Sequence, residues 1–209
     1  MAACRAPGEA AELRELLGPG GGSMVRLDVT DAASVTAAAV SVGRDLTALD
    51  LLVNAAGVED TLASAGPLAA LDGEALIAVL RVNVVGPALV TQALAPLLAR
   101  SSAGVVLNLT SRMGLLEQPM TPGNVGYAIS KAGLNMLTAK LAAELAGTAV
   151  TVVAISPAWV RTDMGGSDAP LSPQESVAGT LQVAGRIVPT DSGALLRHDG
   201  TVLTAAHPS

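Results

Sequence analysis

The sequence predicts an α/β fold with a doubly wound parallel sheet, because short apolar runs alternate with longer amphipathic segments along the chain. The short runs are apolar almost throughout, which is typical of strands covered by helices on both faces. Neither an internal repeat nor a long low-complexity linker divides the 209 residues. We therefore expect a single domain over residues 1–209, large enough to bury a sizeable core.

The elements can be placed in order. We expect strands at 24–27, 49–53, 104–109, 150–155 and 201–204, and helices at 31–46, 125–145 and 173–186. Thr30 or Asp31 is suited to cap the first of these helices. The stretch 71–100 should hold one or two helices, interrupted near Gly86-Pro87, and the run 18–22 should be a flexible loop.

Composition and charge narrow the function classes. The net charge is −6 with 12 scattered basic residues, which argues against nucleic acid as a partner. A single cysteine, Cys4, agrees with a reducing compartment, and His198 and His207 lack the neighbours of a metal site. We find neither an uncharged apolar run of membrane-spanning length nor a secretion signal. The expectation is a cytoplasmic protein without a metal or a membrane partner.

Polar and small residues follow the predicted strands at the sheet edge where ligands bind in such folds. Asn54, Ala55, Ala56 and Gly57 follow one strand, and their small side chains allow close backbone approach. Thr110-Ser111 follows another strand and supplies two hydroxyls. Taken singly, each is more typical of an ordinary strand-to-loop turn than of a binding site.

Tyr127 and Lys131 open the long predicted helix at a spacing of i, i+4, which places both side chains on one face. A free tyrosine has a pKa near 10, and a nearby cation is expected to lower it toward the range of general acid/base catalysis. Alone, this pair is also what a surface Tyr-Lys pair would look like.

The order of these motifs resembles the short-chain dehydrogenase/reductase family over essentially the whole chain. Within that family the chain looks most like the small carbonyl-reducing members. The matching segments, in order, are Asn54 to Gly57, Asn83, Asn108 to Ser111, Tyr127 to Lys131, and Ser156-Pro-Ala-Trp-Val-Arg-Thr-Asp-Met164.

The resemblance implies a Rossmann-like fold and an NAD(P)-dependent exchange between a carbonyl and an alcohol. Tyr127 matches the catalytic acid/base, and Lys131 matches the residue that lowers its pKa and holds the nicotinamide ribose. Ser111 matches the hydroxyl that polarises the substrate carbonyl, and Asn83 matches a residue supporting a proton relay.

The resemblance also assigns the cofactor contacts. Asp28 and Val29 match the positions flanking the adenine, and Asn54 to Gly57 lie against the adenosine half. The remaining cofactor positions, besides Tyr127 and Lys131, are Leu109, Pro157, Val160 and Thr162. Arg5 beside the non-acidic Cys4 suits the 2′-phosphate of NADP, although a solvated arginine at a loop start is the plainer interpretation. NADP is therefore expected, with NAD as the alternative.

The sequence departs from the family at its start. The family opens with a strand, a Thr-Gly-x-x-x-Gly-x-Gly turn and a helix, and the Gly20-Gly21-Gly22 run does not replace that turn. We expect the chain to begin within the family's second strand and the sheet to be incomplete. A non-catalytic relative and a natural start further upstream are the alternatives to an active enzyme.

Smaller departures and features complete the pattern. Ala55 stands for a second Asn and Ala158 for a Gly, whose added methyl could narrow the nicotinamide site; Trp159 is either a pocket wall or core packing. The segment 165–173 is expected to be a mobile lid over the substrate. Helices over 76–100 and 125–145 resemble those that pair between subunits in the family, so a homodimer or homotetramer is expected.

Overall fold

The computed structural model describes residues 1–18, 20, 22–59, 71–117 and 122–203. Its strands are β1 (Ala2–Cys4), β2 (Met24–Arg26), β3 (Leu51–Asn54), β4 (Gly104–Leu109), β5 (Val150–Ser156) and β6 (Leu195–Arg197). Its helices are α1 (Ala11–Leu17), α2 (Ala32–Asp45), α3 (Gly73–Leu80), α4 (Gly86–Leu98), α5 (Val125–Glu144) and α6 (Pro173–Ala184). Every pairing between these strands is parallel, which confirms the predicted fold class.

The described strands form two sheets. β1 pairs with β2, and the larger sheet has the order β3-β4-β5-β6, with Leu52, Val106 and Val152 in register across it. β1 and β3 both line one cavity of about 740 Å³ between the sheets. Among the described strands, neither has a pairing partner on its other edge. This arrangement agrees with the expectation of an incomplete sheet.

The core lies on both faces of β4 and β5, whose alternate side chains point to opposite layers. Leu107 and Val153 pack on one face with Val183 of α6. Val106 and Val152 pack on the other with Leu98 of α4. Because both faces of β4 and β5 are buried, these strands need apolar residues at every position. The same packing fixes the carboxyl ends of the two strands, where the polar residues follow.

Three of the described helices, α2, α3 and α6, begin at side-chain caps, and Asp72 caps α3 by accepting a hydrogen bond from the Glu74 N–H. Asp31, one of the two residues predicted to cap α2, does so by accepting a hydrogen bond from the Ala33 N–H. Ser172 and Glu175 form a reciprocal capping box at the start of α6. Such caps satisfy backbone N–H groups that the helix itself leaves without partners.

Two predicted elements differ from the structure. The last strand was expected at 201–204 but is Leu195–Arg197, because Asp199-Gly200 forms a turn that folds the following residues back onto it. The only bridge from the predicted segment within the described residues joins Val202 to Leu196. The interruption in 71–100 is a π-helical turn, Arg81–Val85, that joins α3 to α4 without a break.

The helical stretch Gly73–Leu98 is long and apolar enough to cross a membrane by length and composition alone, with a mean hydropathy of 1.6. Core helices of soluble proteins meet the same criterion. Within the fold, 28% of its most apolar window is buried, and its α4 half packs Val90, Leu94 and Leu97 against Val35 of α2.

Candidate functional site

The end of β4 and the start of α5 bring the predicted catalytic side chains together. One turn apart on α5, Tyr127 and Lys131 lie so that the Lys131 Nζ is 5.4 Å from the centroid of the Tyr127 ring. The Lys131 ammonium donates a hydrogen bond of 2.8 Å to the Leu109 carbonyl at the end of β4. The Ser111 side chain acts on the Tyr127 phenol as a hydrogen-bond donor, an effect that lowers the pKa of the phenol. A hydroxyl, a phenol and an ammonium therefore converge at one strand end.

The ionisation of these groups is set mainly by burial. Desolvation lowers the pKa of Lys131 to about 8, so that it is still predominantly a cation at neutral pH. Burial raises the pKa of Tyr127; the Ser111 hydrogen bond lowers it, and the Glu59 carboxylate raises it further. The lowering expected from Lys131 is not found, because loss of hydration dominates and the ammonium is bonded to the Leu109 carbonyl.

Asn83 lies in the π-helical turn, is completely buried, and is hydrogen-bonded to the loop after β3. Its Nδ2 donates to the Val58 carbonyl at 2.7 Å, and its Oδ1 accepts the Val58 N–H at 2.9 Å. The same Nδ2 donates to Ser130 Oγ on α5 at 2.9 Å. A Cβ built on Gly57 would be 3.7 Å from both Asn83 Oδ1 and Lys131 Nζ. Asn83 thus ties the 54–58 loop to the helix that carries Tyr127.

The residues predicted for the adenosine half share the cavity between the two sheets. Its lining includes Arg5, Asp28, Val29 and the run Asn54 to Gly57. The pKa of Asp28 is lowered because its carboxylate accepts hydrogen bonds from the Thr30 hydroxyl and N–H. The sequence therefore identified a set of residues that the fold does place together.

Asn54 has a second environment that the sequence interpretation missed. Its Nδ2 donates to Asn108 Oδ1 at 2.8 Å and to Thr91 Oγ1 at 3.2 Å, while Asn108 donates to Thr138 Oγ1 at 2.9 Å. All four side chains are buried. This network joins β3, β4, α4 and α5 beneath the site, so the Asn54 amide has a structural role there.

The loop after β5 carries the residues predicted for the nicotinamide half. Pro157 is held by a hydrogen bond of 2.7 Å from Ser176 Oγ to its carbonyl. Val160 bridges to Leu171 across the loop, and the Thr162 hydroxyl accepts a hydrogen bond of 3.1 Å from the Gly165 N–H. These residues form one hydrogen-bonded loop at the carboxyl end of β5, next to the carboxyl end of β4 in the same sheet.

Ala158 and Trp159 occupy unusual positions in that loop. Ala158 has a φ of +68°, in the left-handed region that favours glycine. Trp159 is 55% exposed and donates from Nε1 to the Gly165 carbonyl at 2.7 Å. The core-packing interpretation of Trp159 is therefore wrong, and it lies on the surface of the loop.

The residues predicted for the adenosine half of a nicotinamide dinucleotide line one cavity, whereas those predicted for the nicotinamide half lie outside it. The 740 Å³ cavity falls within the range of about 300–1,000 Å³ typical of cofactor pockets. Polar groups stand at the strand ends on both sides. Within the described residues, however, no Gly-rich turn joins a strand directly to a helix N-terminus, the usual cradle for a pyrophosphate.

The fold and the clustered hydroxyl, phenol and ammonium define an oxidoreductase of the α/β class. A family model described as short chain dehydrogenase matches residues 5–170. The chain therefore belongs to the short-chain dehydrogenase family.

Similar proteins agree. C-signal from Myxococcus xanthus is 35% identical over 153 residues, covering 73% of this chain and 90% of that protein. NADPH-bound carbonyl reductase from chicken fatty liver is 32% identical, with a TM-score of 0.87 over 96% of this chain and 85% of that one. Carbonyl reductase Sniffer of D. melanogaster is 25% identical, with a TM-score of 0.90 over 97% and 86%.

Proposed function

We propose that this chain is an NADP(H)-dependent oxidoreductase that interconverts a carbonyl and an alcohol. The observation that carries the proposal is the Lys131 ammonium, 5.4 Å from the Tyr127 ring at the end of β4, together with the Ser111 side chain that favours ionisation of the same phenol. The likeness to carbonyl reductases, one with NADPH bound, supports a nicotinamide cofactor and a carbonyl substrate.

Each side chain has a distinct role in this proposal. Tyr127 donates a proton to the substrate oxygen during reduction and accepts it during oxidation. Ser111 orients that oxygen and, by donating to the phenolic oxygen, stabilises the phenolate. Lys131 is a cation beside the Tyr127 ring and would contact the nicotinamide ribose. Asn83 fixes the loop after β3 through Val58 and faces the Lys131 side of the site. The cofactor supplies the hydride chemistry.

The cofactor contacts follow the two ends of the site. Asp28, Val29 and the run Asn54 to Gly57 would hold the adenosine half, and Arg5 would bind the 2′-phosphate that distinguishes NADP from NAD. Leu109, Pro157, Val160 and Thr162 would hold the nicotinamide half together with Tyr127 and Lys131.

The proposal is tested by NADPH oxidation with a panel of aldehydes and ketones, using the purified chain. Turnover should be abolished in Tyr127→Phe, which keeps the ring but has no proton to give. Lys131→Arg serves as a comparison, because it keeps the charge but not the compact ammonium. Absence of turnover over the whole panel, or unchanged turnover in Tyr127→Phe, would refute the proposed chemistry.

A second candidate is a non-catalytic relative that keeps the fold and its surfaces without binding the dinucleotide. It is favoured by one observation: the described residues contain no glycine-rich phosphate turn between a strand and a helix. Isothermal titration with NADPH discriminates between the two, since micromolar binding removes the second candidate. An Arg5→Ala variant tests cofactor choice, because it should weaken NADPH binding and leave NADH binding unchanged.

The setting of the activity is also part of the proposal. We expect a single cytoplasmic domain that assembles as a homodimer or homotetramer through α4 and α5, where Met136 and Ile129 are exposed apolar side chains. Light scattering tests the assembly, and a monomeric mass would contradict it.

A further inference from the structure

The end of β4 is bonded to one face of α5 through three consecutive residues. Asn108 bonds to Thr138, the Leu109 carbonyl to Lys131, and Thr110 to Asn135. The next residue, Ser111, acts on the Tyr127 phenol of the same helix. The four helix residues recur every three or four positions, which is the repeat of one helical face. Among them, Asn135 matches no residue that the resemblance assigned a role.

Asn135 makes two hydrogen bonds that bracket Ser111 in the chain. Its Oδ1 accepts the Thr110 hydroxyl, immediately before Ser111. Its Nδ2 donates to the Gly114 carbonyl at 3.2 Å, three residues after Ser111. A carbonyl can only accept a hydrogen bond, so the amide nitrogen must face Gly114 and the amide oxygen must face Thr110. One side-chain amide therefore holds both sides of the Ser111 turn.

The turn between these two anchors is itself tight. Ser111 Oγ accepts the Met113 N–H at 3.2 Å, and the Ser111 carbonyl accepts the Gly114 N–H at 3.0 Å. Gly114 lies directly on α5, where a Cβ would be 2.5 Å from the carbonyl carbon of Lys131. Because Ser111 Oγ already accepts from Met113, its hydrogen remains available to donate to the Tyr127 oxygen.

Thr110, the first anchor, is buried, and its N–H donates to the Ile155 carbonyl of β5 at 2.9 Å. It therefore belongs to the rigid sheet edge. Gly114, the second anchor, belongs to the turn and reaches the helix. Loss of the Asn135 amide would leave the turn attached to the strand but release its far end from α5.

We propose that Asn135 is a positioning residue that fixes the Ser111 hydroxyl on the face of α5 that carries Tyr127. This role deepens the proposed function and rests on it for its catalytic meaning. Ser111 and Tyr127 both belong to this chain, so the effect of one on the other can be measured in the chain alone.

The experiment uses the fact that Tyr127 is the only tyrosine in the sequence. Tyrosine labelled with ¹³C at Cζ gives one resonance, whose shift reports hydrogen bonding at neutral pH and ionisation at alkaline pH. The charged groups acting on this phenol, Lys131 and Glu59, are left unchanged in every variant. Separate signals for folded and unfolded protein keep alkaline unfolding from being mistaken for ionisation of the folded state.

Ser111→Ala should move the resonance at neutral pH and raise the pKa of Tyr127, because the Ser111 hydrogen bond favours the phenolate. Asn135→Leu, which keeps the side-chain size, should move both in the same direction. Adding Asn135→Leu to Ser111→Ala should produce no further change, since both act through one contact. Thr110→Val should shift the resonance partially, and Thr110→Ser should retain the wild-type value. Thr148→Val, distant from the site, is the matched control and should change nothing.

The proposal is overturned if Asn135→Leu leaves the resonance and the pKa at wild-type values, or if its effect adds in full to that of Ser111→Ala. Should Asn135→Leu fail to fold, Asn135→Ser replaces it, because the side chain is uncharged and too short to reach Thr110 and Gly114 together. A wild-type resonance in Asn135→Ser would overturn the proposal equally. These outcomes do not depend on turnover, so a chain without NADPH oxidation refutes the proposed function and leaves the role of Asn135 to be decided by the spectra.

Discussion

Replacing Ala158 with glycine should stabilise the protein. The φ of +68° at Ala158 places an L-residue in the left-handed region, which costs roughly 1–2 kcal/mol. Two hydrogen bonds on either side of Ala158 hold the loop in this conformation. Ser176 donates to the Pro157 carbonyl, and Trp159 donates to the Gly165 carbonyl. Glycine removes the strain but adds roughly 0.5–1 kcal/mol of chain entropy to the unfolded state. Because Ala158 is exposed, little burial is lost, and a net gain of about 0.5–1 kcal/mol is expected.

Thermal unfolding followed by circular dichroism measures this gain. For a chain of this size the gain corresponds to a rise in Tm of about 1–4 °C. Ala37→Gly on the exposed face of α2 is the matched control; it should lose about 1 kcal/mol, since its backbone is already helical. Ala158→Val should also lose stability, because a β-branched side chain tolerates positive φ poorly. A fall in Tm for Ala158→Gly comparable to that of the control would refute the strain argument.

Three further perturbations test other parts of the structure. Burial lowers the pKa of the Lys131 ammonium from its ordinary value of 10.5 to about 8, so the unfolded chain binds more protons. The free energy of unfolding should therefore rise by about 2 kcal/mol between pH 7 and 9.5. Lys131→Met should lack this rise in urea unfolding at the two pH values, and an equal rise would contradict the assignment. Asn108→Leu removes the hydrogen-bond partner of Asn54 and of Thr138, so the free energy of unfolding should fall by about 1–3 kcal/mol. The urea midpoint measures this loss, and an unchanged midpoint would mean that the buried network contributes nothing to stability. Ser172→Ala breaks the α6 capping box and should cost about 1 kcal/mol by the same assay, whereas no change would show that the cap is unimportant.

Local patterns were sufficient to predict most of the elements. The apolar run 104–109 was predicted as a strand and is β4, Gly104–Leu109. Helix 125–145 was predicted within one residue of α5, Val125–Glu144. Both result from periodicity and strand-end chemistry that the chain carries locally. Asp31 could be placed as a cap for the same reason.

Predictions that depended on distant contacts were less successful. The last strand was misplaced because the turn at Asp199-Gly200, and not the apolar run after it, decides which residues meet β5. The pKa of Tyr127 was expected to be lowered by Lys131, but it is raised by burial. An i, i+4 spacing predicts neither the burial of the Tyr127 phenol nor the hydrogen bond from Lys131 to the Leu109 carbonyl. Asn135 was missed, although it lies one turn beyond Lys131 at the same spacing.

The sequence by itself determined the parallel α/β architecture, the order of motifs along it and the face of α5 that Tyr127 and Lys131 share. These depend on residue type and periodicity over a few turns or one strand. Only the tertiary structure decided that Ser111 acts on Tyr127 and that Asn83 is hydrogen-bonded to Val58. It also decided that Asn135 is bonded on both sides of the Ser111 turn, and that a cavity separates β1 from β3. Each of these joins residues that are far apart in the chain or packs an element against one that follows much later. Their distances and burial are therefore set by the packing of the whole domain rather than by local sequence.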